Sequence, residues 1–105
     1  MKLLTKKITD TLSKFPIGSQ DGKGGDAKII VKFFNPCGAG TWYVLEGEQQ
    51  ADGDWMFFGI VDLHCREYGY FTLSQLTNVR LPFGMRIERD MYFDNKCVKD
   101  LNSYD

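Results

Sequence analysis

Leu4, Ile8 and Leu12 recur four positions apart and Phe15 follows three further on, while Lys6, Lys7, Asp10 and Lys14 occupy the other faces. This is the period of an amphipathic helix. Pro16 ends it, because the residue before a proline is pushed out of helical geometry, so the pattern predicts a helix within residues 1–15. Residues 18–26 read Gly-Ser-Gln-Asp-Gly-Lys-Gly-Gly-Asp, the composition of a flexible loop. Lysine among glycines suggests a phosphate cradle, but that motif needs a strand before it and a helix after it, closed by Lys-Ser/Thr. Here the predicted helix precedes and a strand follows, so a connector is the better reading.

From residue 27 the period falls to two, the signature of strands. Over 27–34, Ile29, Val31 and Phe33 alternate with Ile30, Lys32 and Phe34. Asn35-Pro36-Cys37-Gly38-Ala39-Gly40 has the residues that reverse a chain. A second strand over Thr41 to Glu46 sets Trp42 and Val44 against Thr41, Tyr43 and Leu45, and Asp52-Gly53 marks a hairpin. Trp55 to Leu63 is apolar on both faces, with Phe57 and Val61 on one and Met56, Phe58 and Ile60 on the other. A strand of that kind sits centrally, covered on each side. Tyr68 to Leu73 reads as a fourth strand. Ser74 is placed to cap a short helical piece containing Leu76 and Val79, and Leu81-Pro82-Phe83-Gly84 breaks it. Ile87 to Phe93 adds an edge strand, and from Asp94 the chain is polar and expected to fray.

The expected architecture is α+β: a mainly antiparallel sheet of four to five strands, an N-terminal helix and a short second helix. It forms a single domain over 1–105, with the sheet in 27–93 and a polar tail in 94–105. Its core is expected to gather Ile29, Val31, Trp42, Val44, Phe57, Val61 and Phe71 around Leu4, Ile8 and Leu12.

Composition narrows the function classes. The 105 residues suit one domain, and 43 % hydrophobic content excludes global disorder. Thirteen basic residues face fourteen acidic ones, for a net charge of −1, which argues against both a strongly cationic nucleic-acid binder and an acidic mimic. The charge is unevenly spread, since residues 1–32 hold seven lysines against three acids. The start of the chain lacks a leader-like apolar stretch and the apolar runs are too short to span a bilayer, so a cytoplasmic protein with no membrane contact is expected. Cys37, Cys65 and Cys97 are odd in number and far apart, which fits free thiols. His64-Cys65 is the one adjacent pair of soft ligands, and neighbours on a strand point to opposite faces. Zinc spacing of the C-x2-C kind is missing. No metal and no cofactor are expected.

Several blocks occur in a familiar order: Val31-Lys32-Phe33-Phe34, Thr41-Trp42-Tyr43-Val44, Phe57-Phe58-Gly59-Ile60-Val61, Gly69 to Leu76, Pro82-Phe83-Gly84, and Ile87 to Phe93. Together they resemble the small bacterial family known as domain of unknown function 2958 over about residues 3–95. The resemblance implies a protein of bacterial chromosomes, plasmids or other mobile elements. It brings no activity and no assigned catalytic residues.

Three functional readings remain. Glu88 and Asp90, on one strand face with Arg89 opposite, are paired carboxylates of the type that bind a cation or share acid–base work, but no nucleophile accompanies them. Trp42, Tyr43, Trp55, Tyr68 and Tyr70 are placed to stack single-stranded bases, but the basic groove that such binding uses is missing. The favoured reading is a non-enzymatic binding module acting through contact with a protein partner or by self-association. One helix covers only one sheet face, so the expected contact surface is the other, near Tyr43, Met56, Phe58, Tyr70 and Arg89. The competing expectation is that residues 81–93 fold over that face and seal it.

Overall fold

The computed structural model describes the backbone of residues 1–104 and the side chains of residues 1–101. Helix α1 (Lys6–Leu12) is shorter than its apolar period suggests. Thr5 caps it, accepting a hydrogen bond from the Ile8 N–H, and leaves Leu3 and Leu4 outside the helix yet buried. Five strands follow, β1 (Val31–Phe34), β2 (Thr41–Gln49), β3 (Trp55–Asp62), β4 (Arg66–Thr72) and β5 (Glu88–Arg89). They form one antiparallel sheet in the order β4-β3-β2-β1-β5. Helix α2 (Leu73–Thr77) directly follows β4. The α+β architecture expected from the pattern is the one observed. Among the described residues no helix is long and apolar enough to cross a membrane.

The α2 cap differs from expectation. Thr72 is the N-cap, its hydroxyl accepting from the Gln75 N–H while the Gln75 side chain accepts from the Thr72 N–H. This reciprocal pair satisfies two donors at once. Ser74 lies inside the helix and donates to the Asp54 carboxylate at 2.6 Å. That bond, with N–H donors from Trp55 and Ser74, holds the Asp54 carboxyl below the usual aspartate range. Val79 lies beyond the helix.

A β-bulge shapes the centre of the sheet. Val44 pairs with Gly59 and Glu46 with Phe58, so Leu45 is the extra residue. Val44 packs on the α1 side, whereas Leu45 joins the core on the other face, and Glu46 shares that face with Phe58. At Gly59 a Cβ would lie 1.9 Å from the Tyr43 carbonyl oxygen. Only glycine lets β2 and β3 approach so closely there.

The α1 face holds the larger core, with Val31, Phe33, Val44, Phe57 and Phe71 buried against Leu4 and Leu12. Trp42, Val61 and Ile8 are half-buried against it. Ile29 departs from the expected set, because it is buried on the opposite face with Tyr43, Leu45 and Ile60. Alternation fails before Val31: Ile30 packs on the α1 side, as Val31 does, and regular pairing begins only at Val31.

The C-terminal third follows a different path from the expected edge strand and fraying tail. β5 has two residues, opposite Phe33 and Phe34. The chain then arches away and returns: the Ile29 N–H donates to the Lys96 carbonyl at 2.9 Å, Lys28 and Cys97 form a bridge, and the Val98 N–H donates to Ala27. A 3₁₀ helix over Val98–Tyr104 follows and buries Leu101 against the second face. Leu81 and Ile87 pack on the α1 side. The cover of the second face is therefore drawn from residues 93–101 and from the loop around Gln20 and Ala27, not from 81–93.

Candidate functional site

Phe93, Val98 and Leu101 pack on the second face against Ile29, Tyr43, Leu45 and Ile60, and the face is left open toward β4, beyond Gln20 and Gly22, which lie beside Phe58 and Tyr68. Alternation along the paired strands puts Met56, Phe58, Tyr68 and Tyr70 there, with Phe58 opposite Tyr70. Phe58 stacks on Tyr68 with ring centroids 5.9 Å apart and meets Tyr70 at 4.9 Å. Met56 and Phe58 are half-buried, while Tyr68 is 56 % and Tyr70 64 % exposed. Four large side chains thus form one continuous strip, wet along its outer margin.

The strip borders the outer edge of the sheet. β4 has seven residues and, among the described residues, no strand on its far side, and its register with β3 runs without a bulge from Met56–Thr72 to Asp62–Arg66. Proline and lysine, common guards of exposed edges, are missing from Arg-Glu-Tyr-Gly-Tyr-Phe-Thr. Arg66 is drawn back toward its own sheet by Asp62 at 3.3 Å and lies over the Tyr43 ring. The opposite edge is partly covered by β5 and by the returning tail.

Beside the strip, on the same face, a buried carboxylate organises the loop over residues 18–26. Glu46 is 2 % exposed and its two oxygens accept from the Gly18 and Gln20 N–H groups, each at 2.7 Å. The buried Gln20 side chain then donates to the Lys28 and Leu45 carbonyls and accepts from the Lys28 N–H. The loop is thus tied to the bulge at several points. Sequence reasoning passed over Glu46 and Gln20. The available signal was a carboxylate directly after the apolar run Val44-Leu45, where burial demands partners.

The expected contact residues separate in the folded chain. Met56, Phe58 and Tyr70 come together in the open strip, joined by Tyr68. Tyr43 does not: it is 8 % exposed and packs against Phe93 at 6.0 Å, because the tail closes over it. Arg89 lies in β5 opposite Phe33, on the α1 side, where its guanidinium donates to the carbonyls of Lys2 and Leu3. It anchors the start of the chain and is remote from the strip. Of the paired carboxylates, Asp90 is engaged by Lys32 at 3.4 Å and Glu88 is a half-buried β5 residue.

Among the described residues, no three His, Cys, Asp or Glu side chains converge in a metal-ligating group. Cys37 and Cys65 are exposed and Cys97 half-buried, all as free thiols. The Cys65 thiol donates to Glu67, and that bond together with the carboxylate charge raises its pKa. A raised pKa lowers the thiolate fraction that nucleophilic chemistry needs. The strip itself offers aromatic surface beside an unpaired strand edge.

A family model described as a protein of unknown function, DUF2958, matches residues 3–104. No curated protein and no solved structure matches the chain.

Proposed function

We propose that this chain, which belongs to the DUF2958 family of proteins of unknown function, is a non-enzymatic binding module that acts through protein–protein contact. Its contact surface is the outer edge of β4 with the Met56–Phe58–Tyr68–Tyr70 strip, and the partner that fits is a second copy of the chain. The observation that carries this reading is the seven-residue edge strand that itself carries two exposed tyrosines. Exposed edges of this kind accept another strand, and tyrosine anchors interfaces by burying a large ring while offering a hydroxyl.

The second copy is favoured by the symmetry of the strand itself. Antiparallel pairing of two β4 strands about Gly69 sets each Tyr68 opposite Tyr70 of the other copy. Glu67 then faces Phe71 and Arg66 faces Thr72, so no like charges meet across the pair. The net charge of −1 adds little general repulsion. Single-stranded nucleic acid is the weaker reading, because Glu46 and Glu48 share the face of the strip whereas Lys7, Lys28 and Lys96 lie by the opposite edge.

Sedimentation equilibrium of the full chain and of the Tyr68→Glu/Tyr70→Glu double variant tests this. An interface below about 1,200 Å² is a weak one, so the mass is best read at ~100 µM, above micromolar dissociation constants. The wild type is expected to approach dimer mass and to keep it at high salt, and the folded double variant to remain monomeric. A wild-type monomer at that concentration, or a double variant that dimerises equally, would overturn the proposal.

A further inference from the structure

The other edge of the sheet carries a recess that the β4 surface does not use. After Arg89 the Asp90 N–H still donates to the Lys32 carbonyl, and the chain rejoins β1 only where Lys96 accepts from Ile29. Residues 91–95 arch outward between these points, and α1 supplies the facing wall. The recess is open to solvent on one side and has a volume of ≈ 730 Å³, within the range of about 300–1,000 Å³ typical of small-ligand sites.

Its chemistry is divided. Ile8, Phe15, Ile30 and Phe93, all half-buried, give it an apolar lining. Lys7, Lys28 and Lys96 are exposed around them, and among the described residues none is in an ion pair. Arg89 adds a fourth positive charge, met among the described residues by the carbonyls of Lys2 and Leu3 and not by a carboxylate. Two acids also line the recess, but Asp90 is neutralised by Lys32 at 3.4 Å. Asp94 is left against four cations. On a chain whose net charge is −1, folding has thus collected positive charge at one place. Lys7 and Lys28 come from the lysine-rich first 32 residues, which the β4 contact leaves without a role.

We propose that this recess binds a small amphiphilic anion, its apolar tail against Ile8, Ile30 and Phe93 and its carboxylate or phosphate headgroup among Lys7, Lys28 and Lys96. A lysine ammonium is a point charge without the planar fork of arginine, so the site selects for charge and tail more than for headgroup shape. A free ligand is favoured over a lipid in a bilayer, because the lining lies between two walls and not on a raised face.

Titration of the ¹⁵N-labelled full chain with octanoate, with 1-octanol as the neutral counterpart, followed by amide chemical shifts, tests the proposal. Octanoate is expected to give saturable shifts at Ile8, Ile30, Asn95 and Lys96, and to bind more tightly than 1-octanol. A Lys28→Gln/Lys96→Gln double variant, checked for native shift dispersion, is expected to lose about tenfold in octanoate affinity while its response to 1-octanol is unchanged. Equal binding of the two ligands, undiminished octanoate affinity in the double variant, or shifts confined to β3 and β4 would overturn it. Co-sedimentation with phosphatidylglycerol vesicles without any response to octanoate would likewise overturn it, in favour of a membrane surface.

Discussion

Phe57→Ala is expected to destabilise the protein by about 3–5 kcal/mol, the range for removing a fully buried phenylalanine. Phe57 is 0 % exposed and lies at the centre of β3 between Phe33, at 6.1 Å, and Phe71, at 5.5 Å, with Trp55 stacked alongside. Gly47 supplies its space, since a Cβ there would come 3.0 Å from the Phe57 ring. Truncation removes the ring's burial and also leaves a void between two strands and α1, which rigid sheet neighbours fill poorly. The urea midpoint of the variant should fall steeply, with the slope of the transition unchanged. A midpoint equal to wild type would mean that β3 does not carry the core.

Glu46→Ala is expected to cost about 3 kcal/mol through a different mechanism. Both carboxylate oxygens accept short backbone bonds, and their loss leaves the Gly18 and Gln20 donors beside a new cavity without partners. Stranded donors cost about 1–3 kcal/mol each, softened where water can enter. Because Gln20 in turn holds Lys28 and Leu45, the effect should spread along the loop. Hydrogen exchange would read it directly, as faster exchange at Gly18, Gln20 and Lys28. Glu46→Gln keeps one acceptor oxygen but turns an amide NH₂ toward a backbone N–H, so it should rank between alanine and wild type. Unchanged exchange at Gly18 and Gln20 in the alanine variant would contradict the anchoring role.

The parts of this structure that were legible in the sequence are those set by local period. The two-residue alternation of β2, β3 and β4 placed Phe57 and Phe71 on one face and Met56, Phe58 and Tyr70 on the other, and antiparallel pairing keeps such faces intact. Non-local features were hidden. The bulge at Leu45 leaves no mark on composition, although it changes which face Glu46 joins. Thr72 and Gln75 spell a capping box, but Ser74 is an equally good capping residue type and drew the prediction. Tyr43 lies on the expected face but is covered there by the return of the tail, whereas Arg89 takes the α1 side because its register sets it opposite Phe33. That return is held by backbone bonds from Ile29 and Val98, which no side-chain pattern encodes, and Leu101 is the one buried side chain among the described residues of that polar segment.

The uncovered β4 edge is the centre of the functional account, and its proposed register makes a sharp demand. In antiparallel pairing about Gly69, the two copies bring residue 69 opposite itself, with Cα atoms about 4.5–5.5 Å apart, within the span a disulfide bridges. A Cβ at Gly69 meets nothing nearer than Val61 Cγ2 at 4.0 Å, so cysteine fits there. The most direct measurement is oxidative cross-linking of Gly69→Cys in a background where Cys37, Cys65 and Cys97 are serine, with Gly53→Cys in the β2–β3 turn as the control. A disulfide-linked dimer is expected for Gly69→Cys at concentrations where Gly53→Cys stays monomeric. Failure of Gly69→Cys to cross-link above the control, with both proteins folded, would contradict it.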